Sequence, residues 1–197
     1  MSNGIMIVKR DGTKENLNID KIHFVVEEAC KDLAGVSSSQ IEMNANLQFY
    51  DGMTTEEIQE ILIRSANDLI SLENPNYQTA AARLLSYTVN KQVFGEFKPI
   101  PLKEMINLNI ERGVYDPEFL NYYTEEEIAK LDSYICHPRD EHFTYAGMRQ
   151  VVDKYLCQDR SNNQLFETPQ FMYMKIALTL ISQYPKETRL QYVRRYY

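Results

Sequence analysis

A chain of 197 residues, 44% of them hydrophobic and 25% charged, can bury a core in one or two domains and is too apolar to be a disordered segment. Its net charge of −7 argues against a surface that tracks nucleic acid, which needs clustered Lys and Arg, and leaves room only for a local basic pocket. The three cysteines, Cys30, Cys136 and Cys157, form no CxxC pair, which speaks against zinc ribbons and disulfide frameworks and suits a reducing cytoplasm.

Ile5, Ile7 and Lys9 alternate with Met6 and Val8, the period of a strand. Asp11-Gly12 then reads as a two-residue hairpin turn, with Leu17 and Ile19 alternating on the return strand. Asn18 or Asp20 can cap a helix that carries Ile22, Val25, Val26, Ala29 and Leu33 and stops at Gly35. Ser37-x-x-Gln40 opens a short helix, and Leu47 to Tyr50 is expected as a third strand closed by Asp51-Gly52. Thr54-x-x-Glu57 is a capping box, and behind it Ile58, Ile61, Leu62, Ala66, Leu69 and Ile70 share one helical face. After Pro75 a fourth helix turns Tyr77, Ala80, Ala81, Leu84, Leu85 and Thr88 inward and ends at Gly95.

Lys98-Pro99-Ile100-Pro101 reads as a linker. Beyond it Gly113 stops one helix, and Thr124-x-x-Glu127 is a second capping box ahead of Ile128, Leu131 and Ile135. A helix over Tyr145 to Lys154 leads to Tyr155-Leu156-Cys157, a turn at Ser161-Asn162-Asn163, and a return through Leu165-Phe166-Glu167. Thr168-Pro169 starts a helix running to about Ser182 that is apolar on nearly every side, its longest apolar stretch Phe171 to Ile181, which predicts burial on nearly every side. That stretch is interrupted by Lys175 and Thr179 and is too short to span a bilayer, so no membrane association is expected. The two last helices carry more apolar surface than about 100 residues can enclose, so another polypeptide or further sequence is expected to complete it.

A hairpin feeding a helical bundle, with lysines at the joints, can cradle a nucleoside triphosphate. The chain holds no GxxxxGK[ST] loop, so the phosphates are not gripped as in P-loop enzymes, and a regulatory site is favoured over an ATPase. Taken alone, Lys9, Lys21 and Lys91 are solvated surface lysines, and Thr54 and Thr55 are helix caps. His137 and His142 share a polar connection with Asp140 and Glu141, but their spacing fits no standard metal site. Glu125-Glu126-Glu127 reads as the acidic first turn of a helix, and the tyrosines near the C-terminus read as packing groups.

The strings VKRDGTKENLNIDKIH, LQFYDGMTTEEIQEILIRSANDLI and YQTAAARLL resemble the ATP-cone of the large (α) subunit of aerobic class I ribonucleoside-diphosphate reductase. KYLCQDRSNNQLFETPQFMYMKIALTL and YPKETRLQYVRRYY resemble the helical region ahead of that enzyme's α/β barrel. The resemblance implies a mainly α fold with a small β component. Residues 1–95 would be a four-helix bundle capped by a three-stranded sheet, and residues 96–197 the start of the helical catalytic region, with a short β-hairpin.

The resemblance also implies a binding site for ATP or dATP as allosteric effector, with Mg2+ accompanying the nucleotide. It assigns Lys9 and Arg10 to the phosphates, Glu15, Asn16, Leu17, Asn18, Ile19, Asp20 and Lys21 to base and ribose, with Lys21 also reaching the phosphates, and Thr55 and Lys91 to the same site. Ile22 and Ile58 would pack on the purine. The implied partners are the rest of the reductase α subunit and a radical-generating β subunit, with no nucleic acid. None of Cys30, Cys136 and Cys157 matches the family's radical or redox cysteines, so no catalytic residue is assigned and the chain alone is expected to be inactive. Inhibited members can carry Trp where this chain has Glu28 and His where it has Gln59. The rival reading is a stand-alone, non-catalytic nucleotide sensor or assembly regulator.

Overall fold

A computed structural model describes residues 5–197, so the first four positions of the expected 1–95 domain lie outside it. The chain divides into two compact units. The first holds the residues up to Thr88 together with Glu141–Arg149, and the second holds Val89–Asp140 and Gln150–Tyr197.

The first unit begins with β1 (Met6–Val8) paired antiparallel to β2 (Lys14–Asn16), Ile7 facing Glu15 across the ladder. The turn between them is a three-residue loop rather than the expected two-residue one. The Lys9 amide donates to the Thr13 carbonyl at 2.8 Å and the Gly12 amide to the Lys9 carbonyl at 2.9 Å. The Asp11 carboxylate draws in both the amide and the hydroxyl of Thr13, at 2.9 and 2.6 Å, and Gly12 supplies the positive φ of +81° that closes such a loop.

Helix α1 (Ile19–Cys30) starts on Asn18, whose side chain accepts from the Lys21 amide at 3.1 Å, which settles the choice between the two candidate caps. It ends well before Gly35, because Asp32 takes the left-handed conformation at φ 58°. Arg83 then donates to the carbonyls of Ala29 and of Lys31, just past the end of α1, at 3.3 and 2.7 Å.

Helix α2 (Ser38–Asn46) is capped by Ser37 and continues as turns, Gln48 to Ala45 at 2.9 Å and Phe49 to Asn46 at 3.4 Å. The expected third strand at Leu47 to Tyr50 is therefore absent, and Leu47 stands 84% exposed. The sheet is two-stranded, and its third edge is a single parallel bridge between Val8 and Thr54. That bridge is tied by Val8 N–H to Met53 C=O at 2.9 Å and Gly52 N–H to Met6 C=O at 2.8 Å. It docks the start of α3 (Thr55–Asn67) on the hairpin.

Helix α3 opens with the expected Thr54/Glu57 capping box, and α4 (Tyr77–Phe94) follows Pro75 and ends at Gly95, φ +76°. The bundle core is built from Val26 and Ala29, Ile41 and Ala45, Leu62 and Ala66, and Ala80, Ala81 and Leu84, all buried. The alanines let helices approach closely while the larger chains fill the space between them. Buried Tyr77 accepts from the Ser37 amide at 3.0 Å and donates to the Gln40 side chain at 2.6 Å, which satisfies its hydroxyl.

The second unit takes the last residues of α4, then α5 (Leu102–Glu111), the single turn α6 (Phe119–Tyr122) and α7 (Glu125–Asp132). Next come a 3-10 turn (His137–His142), α8 (Tyr145–Lys154), and a minimal hairpin of β3 (Gln158–Asp159) and β4 (Gln164–Leu165). Helices α9 (Pro169–Ile181) and α10 (Lys186–Tyr196) close it. The second capping box forms at Thr124/Glu127, and Glu127 is shared. Buried Arg189 of α10 grips both its oxygens, one at 2.9 Å through Nε, while lying 4.7 Å from the Tyr123 ring centroid. Helix α9 buries Phe171, Met174, Leu178 and Ile181, yet Ile176 and Leu180 stay 45% and 61% exposed. The all-round burial expected of this helix is thus met on one side only within the described residues.

Candidate functional site

Three N-terminal features meet in the first unit: the Lys9–Thr13 loop, the start of α1 and the start of α3. The ladder sets this meeting. Glu15 lies on β2 opposite Ile7, Lys21 sits in the first turn of α1, and Thr55 opens α3 directly beside β1. The α3 N-terminus therefore opens beside the basic loop, where its dipole favours an anion, and Lys21 reaches the same hairpin from the first turn of α1.

The charged side chains there pair in two groups. Glu15 carries one oxygen 2.7 Å from the Lys9 ammonium and the other 3.7 Å from that of Lys21. The hydrogen bond to Glu15 raises Lys9 above its ordinary value, and the same bond holds Glu15 below the usual carboxylate range. Glu56 accepts from Arg10 through one oxygen and from the Thr55 hydroxyl, at 3.2 Å, through the other. The structure thus brings Lys9, Glu15 and Lys21 together, and Arg10 together with Thr55.

The remaining expected residues take plainer positions. Asn16 pairs with Met6 at the end of β2, and the Leu17 amide donates to Ile5 at 2.7 Å. Asn18 is committed to capping α1, while Ile19 and Asp20 are exposed on its first turn. Ile22 and Ile58 are buried in the bundle. Lys91 falls in the second unit, its ammonium 5.5 Å from the Phe97 ring centroid. Of the two further positions singled out in the sequence, Gln59 accepts from the Thr88 hydroxyl at 3.1 Å and Glu28 lies 3.8 Å from Lys31. Among the described residues no group of His, Cys, Asp and Glu is arranged to hold a metal ion, and no helix is long and apolar enough to cross a membrane.

Sequence reasoning missed a polar cluster in the second unit. Glu167, with no exposed surface, accepts from the Lys175 ammonium at 2.8 and 2.7 Å, from the Cys157 amide at 3.0 Å and from the Tyr115 hydroxyl. Lys175 also lies 3.1 Å from the Cys157 sulfur and 5.0 Å from the Tyr115 ring centroid. Burial, with the Glu167 charge behind it, pushes the Tyr115 phenol far up, and burial likewise raises the Cys157 thiol. The available signal was Lys175 itself: a lone charge inside an apolar helix needs a carboxylate nearby.

Residues 5–92 match the family described as ATP cone domain, and residues 141–197 match ribonucleotide reductase, all-alpha domain. Over all 197 residues the chain is 44% identical to ribonucleoside-diphosphate reductase 1 subunit alpha of Escherichia coli (strain K12) and 45% identical to that of Salmonella typhimurium. It is 40% identical over 195 residues to the ribonucleoside-diphosphate reductase subunit alpha of Enterobacteria phage T4. The chain spans about a quarter of the length of these relatives, 26%, 26% and 25%.

Proposed function

We propose, from the premise that this chain belongs to the ribonucleotide reductase α-subunit family, that its first unit binds ATP or dATP as an allosteric effector. The observation that carries the proposal is the grouping of Lys9 and Lys21 on Glu15 and of Arg10 and Thr55 on Glu56, at the hairpin and the start of α3, inside the segment that matches the ATP cone. Three cations and the α3 dipole offset triphosphate charge. Ile22 and Ile58 form the apolar floor for the purine, and the 15–21 stretch lines base and ribose. Mg2+, which binds phosphate oxygens, would accompany the nucleotide.

In the whole protein this binding serves reduction of ribonucleoside diphosphates to deoxyribonucleoside diphosphates, in the cytoplasm and with a radical-generating β subunit. The domain division at residues 1–95 and 96–197 belongs to the same proposal. An effector acts only through unequal affinity for the competing conformations or assemblies, so the cone is a sensor whose output is assembly state. The test is calorimetric titration of the 197-residue chain with MgATP. Saturable binding is expected, and Lys21→Ala should weaken it by roughly 1.5–3 kcal/mol, the range for a hydrogen bond to a charged group. A wild-type chain that takes up no ATP, or a variant that binds it equally well, overturns the assignment.

A further inference from the structure

Lys9, Lys21 and Arg10, assigned to the phosphates, and Thr55, assigned to the same site, already have carboxylate partners. Lys9 and Lys21 share Glu15, and Arg10 and Thr55 share Glu56. Glu15 lies in the stretch assigned to base and ribose, whereas Glu56 has no such role. It is not needed to cap α3 either, because that task falls to Thr54 and Glu57, which bond reciprocally at 3.1 and 2.7 Å. Glu56 sits instead one residue past Thr55, in the same positive end of the helix that would attract a phosphate. Its side chain is 45% exposed and that of Arg10 35%, so the pair is open to exchange.

We infer that Glu56 is a built-in competitor for the effector's phosphate tail, occupying Arg10 and Thr55 until a triphosphate displaces it and thereby setting the concentration at which the site fills. The inference rests on the effector site proposed above and adds a residue that weakens binding. A triphosphate brings more negative charge than one carboxylate, so it wins the exchange, but its net gain is reduced by the ion pair it must break. Removing the carboxylate charge leaves Arg10 free and relieves repulsion between Glu56 and the incoming phosphates.

The test is Glu56→Gln in the 197-residue chain, titrated with MgATP and separately with adenosine. The variant should bind MgATP about two- to fivefold more tightly, the scale of an exposed ion pair. Adenosine, which brings no phosphate, should bind both chains alike. Glu60→Gln is the control. It makes the same charge change one turn along α3, at a residue whose nearest cation is Arg149 at 3.9 Å, and should leave MgATP affinity unchanged. If the wild-type chain binds MgATP but Glu56→Gln binds it no better, Glu56 is not a competitor. Equal tightening toward adenosine, or by Glu60→Gln, also overturns the inference. Absence of MgATP binding to wild type defeats the effector site itself, which is a different result.

Discussion

Two lysine–carboxylate groupings in this chain look alike on paper and differ in what surrounds them. At the hairpin of the first unit, Glu15 joins Lys9 and Lys21 with side chains 32%, 41% and 69% exposed. In the second unit, Glu167 joins Lys175, Tyr115 and the Cys157 amide with its own side chain wholly buried and that of Lys175 only 21% exposed. Water competes for the first set and screens it, so its partners can be exchanged for phosphate at small cost. The second set has replaced its water with fixed donors, and none of its members can leave without stranding another. The same chemistry thus gives exchangeable ion pairs in one place and a permanent internal strut in the other.

Lys175→Met should break that contrast most visibly. It leaves Glu167 charged, buried and short of its main partner, and should cost about 3–5 kcal/mol in urea unfolding. Adding Glu167→Gln should recover part of this loss, because the stranded charge is then gone. A single variant as stable as wild type shows that Glu167 does not carry a buried charge. Tyr115→Phe removes one donor and keeps the ring beside Lys175, so its expected cost is lower, about 1.5–3 kcal/mol. An unfolding midpoint that does not move for this variant would place the phenol outside the cluster.

Legibility in the sequence followed the reach of the interactions. Helix starts were readable because their chemistry is complete within four residues: Asn18, Ser37, the Thr54/Glu57 and Thr124/Glu127 boxes, and Pro169 all sit where their local pattern put them. The third strand was misread because Leu47 to Tyr50 has strand-like residues but no partner at that register. The edge was taken by Thr54, brought to Val8 by the turn at Gly52. The stop of α1 went to Asp32, a residue type that tolerates the left-handed region, ahead of the more obvious Gly35. The loop lysines and the helix starts around the candidate site were visible, and the nucleotide role expected of them came from the resemblance to reductase cones. Glu56 and Glu167 were missed for a common reason. A carboxylate's role depends on what faces it, and Arg10 lies 46 residues from Glu56 while Tyr115 lies 52 from Glu167.

The smallest expected effect sharpens the comparison through salt. Raising ionic strength from 0.1 to 1 M shortens the screening length from about 10 Å to about 3 Å. Exposed Lys9 and Glu15 feel that change fully, so the coupling between Lys9→Gln and Glu15→Gln in a double-mutant cycle should be slight at low salt and vanish at high salt. The loss caused by Lys175→Met should stay the same across that range, because ions do not reach Glu167. MgATP binding should weaken with salt in parallel with the hairpin pair, since the phosphates meet the same exposed cations. If the hairpin coupling survives high salt undiminished, those cations are fixed partners like Lys175, and the hairpin loses the exchangeability on which its use as an effector site depends.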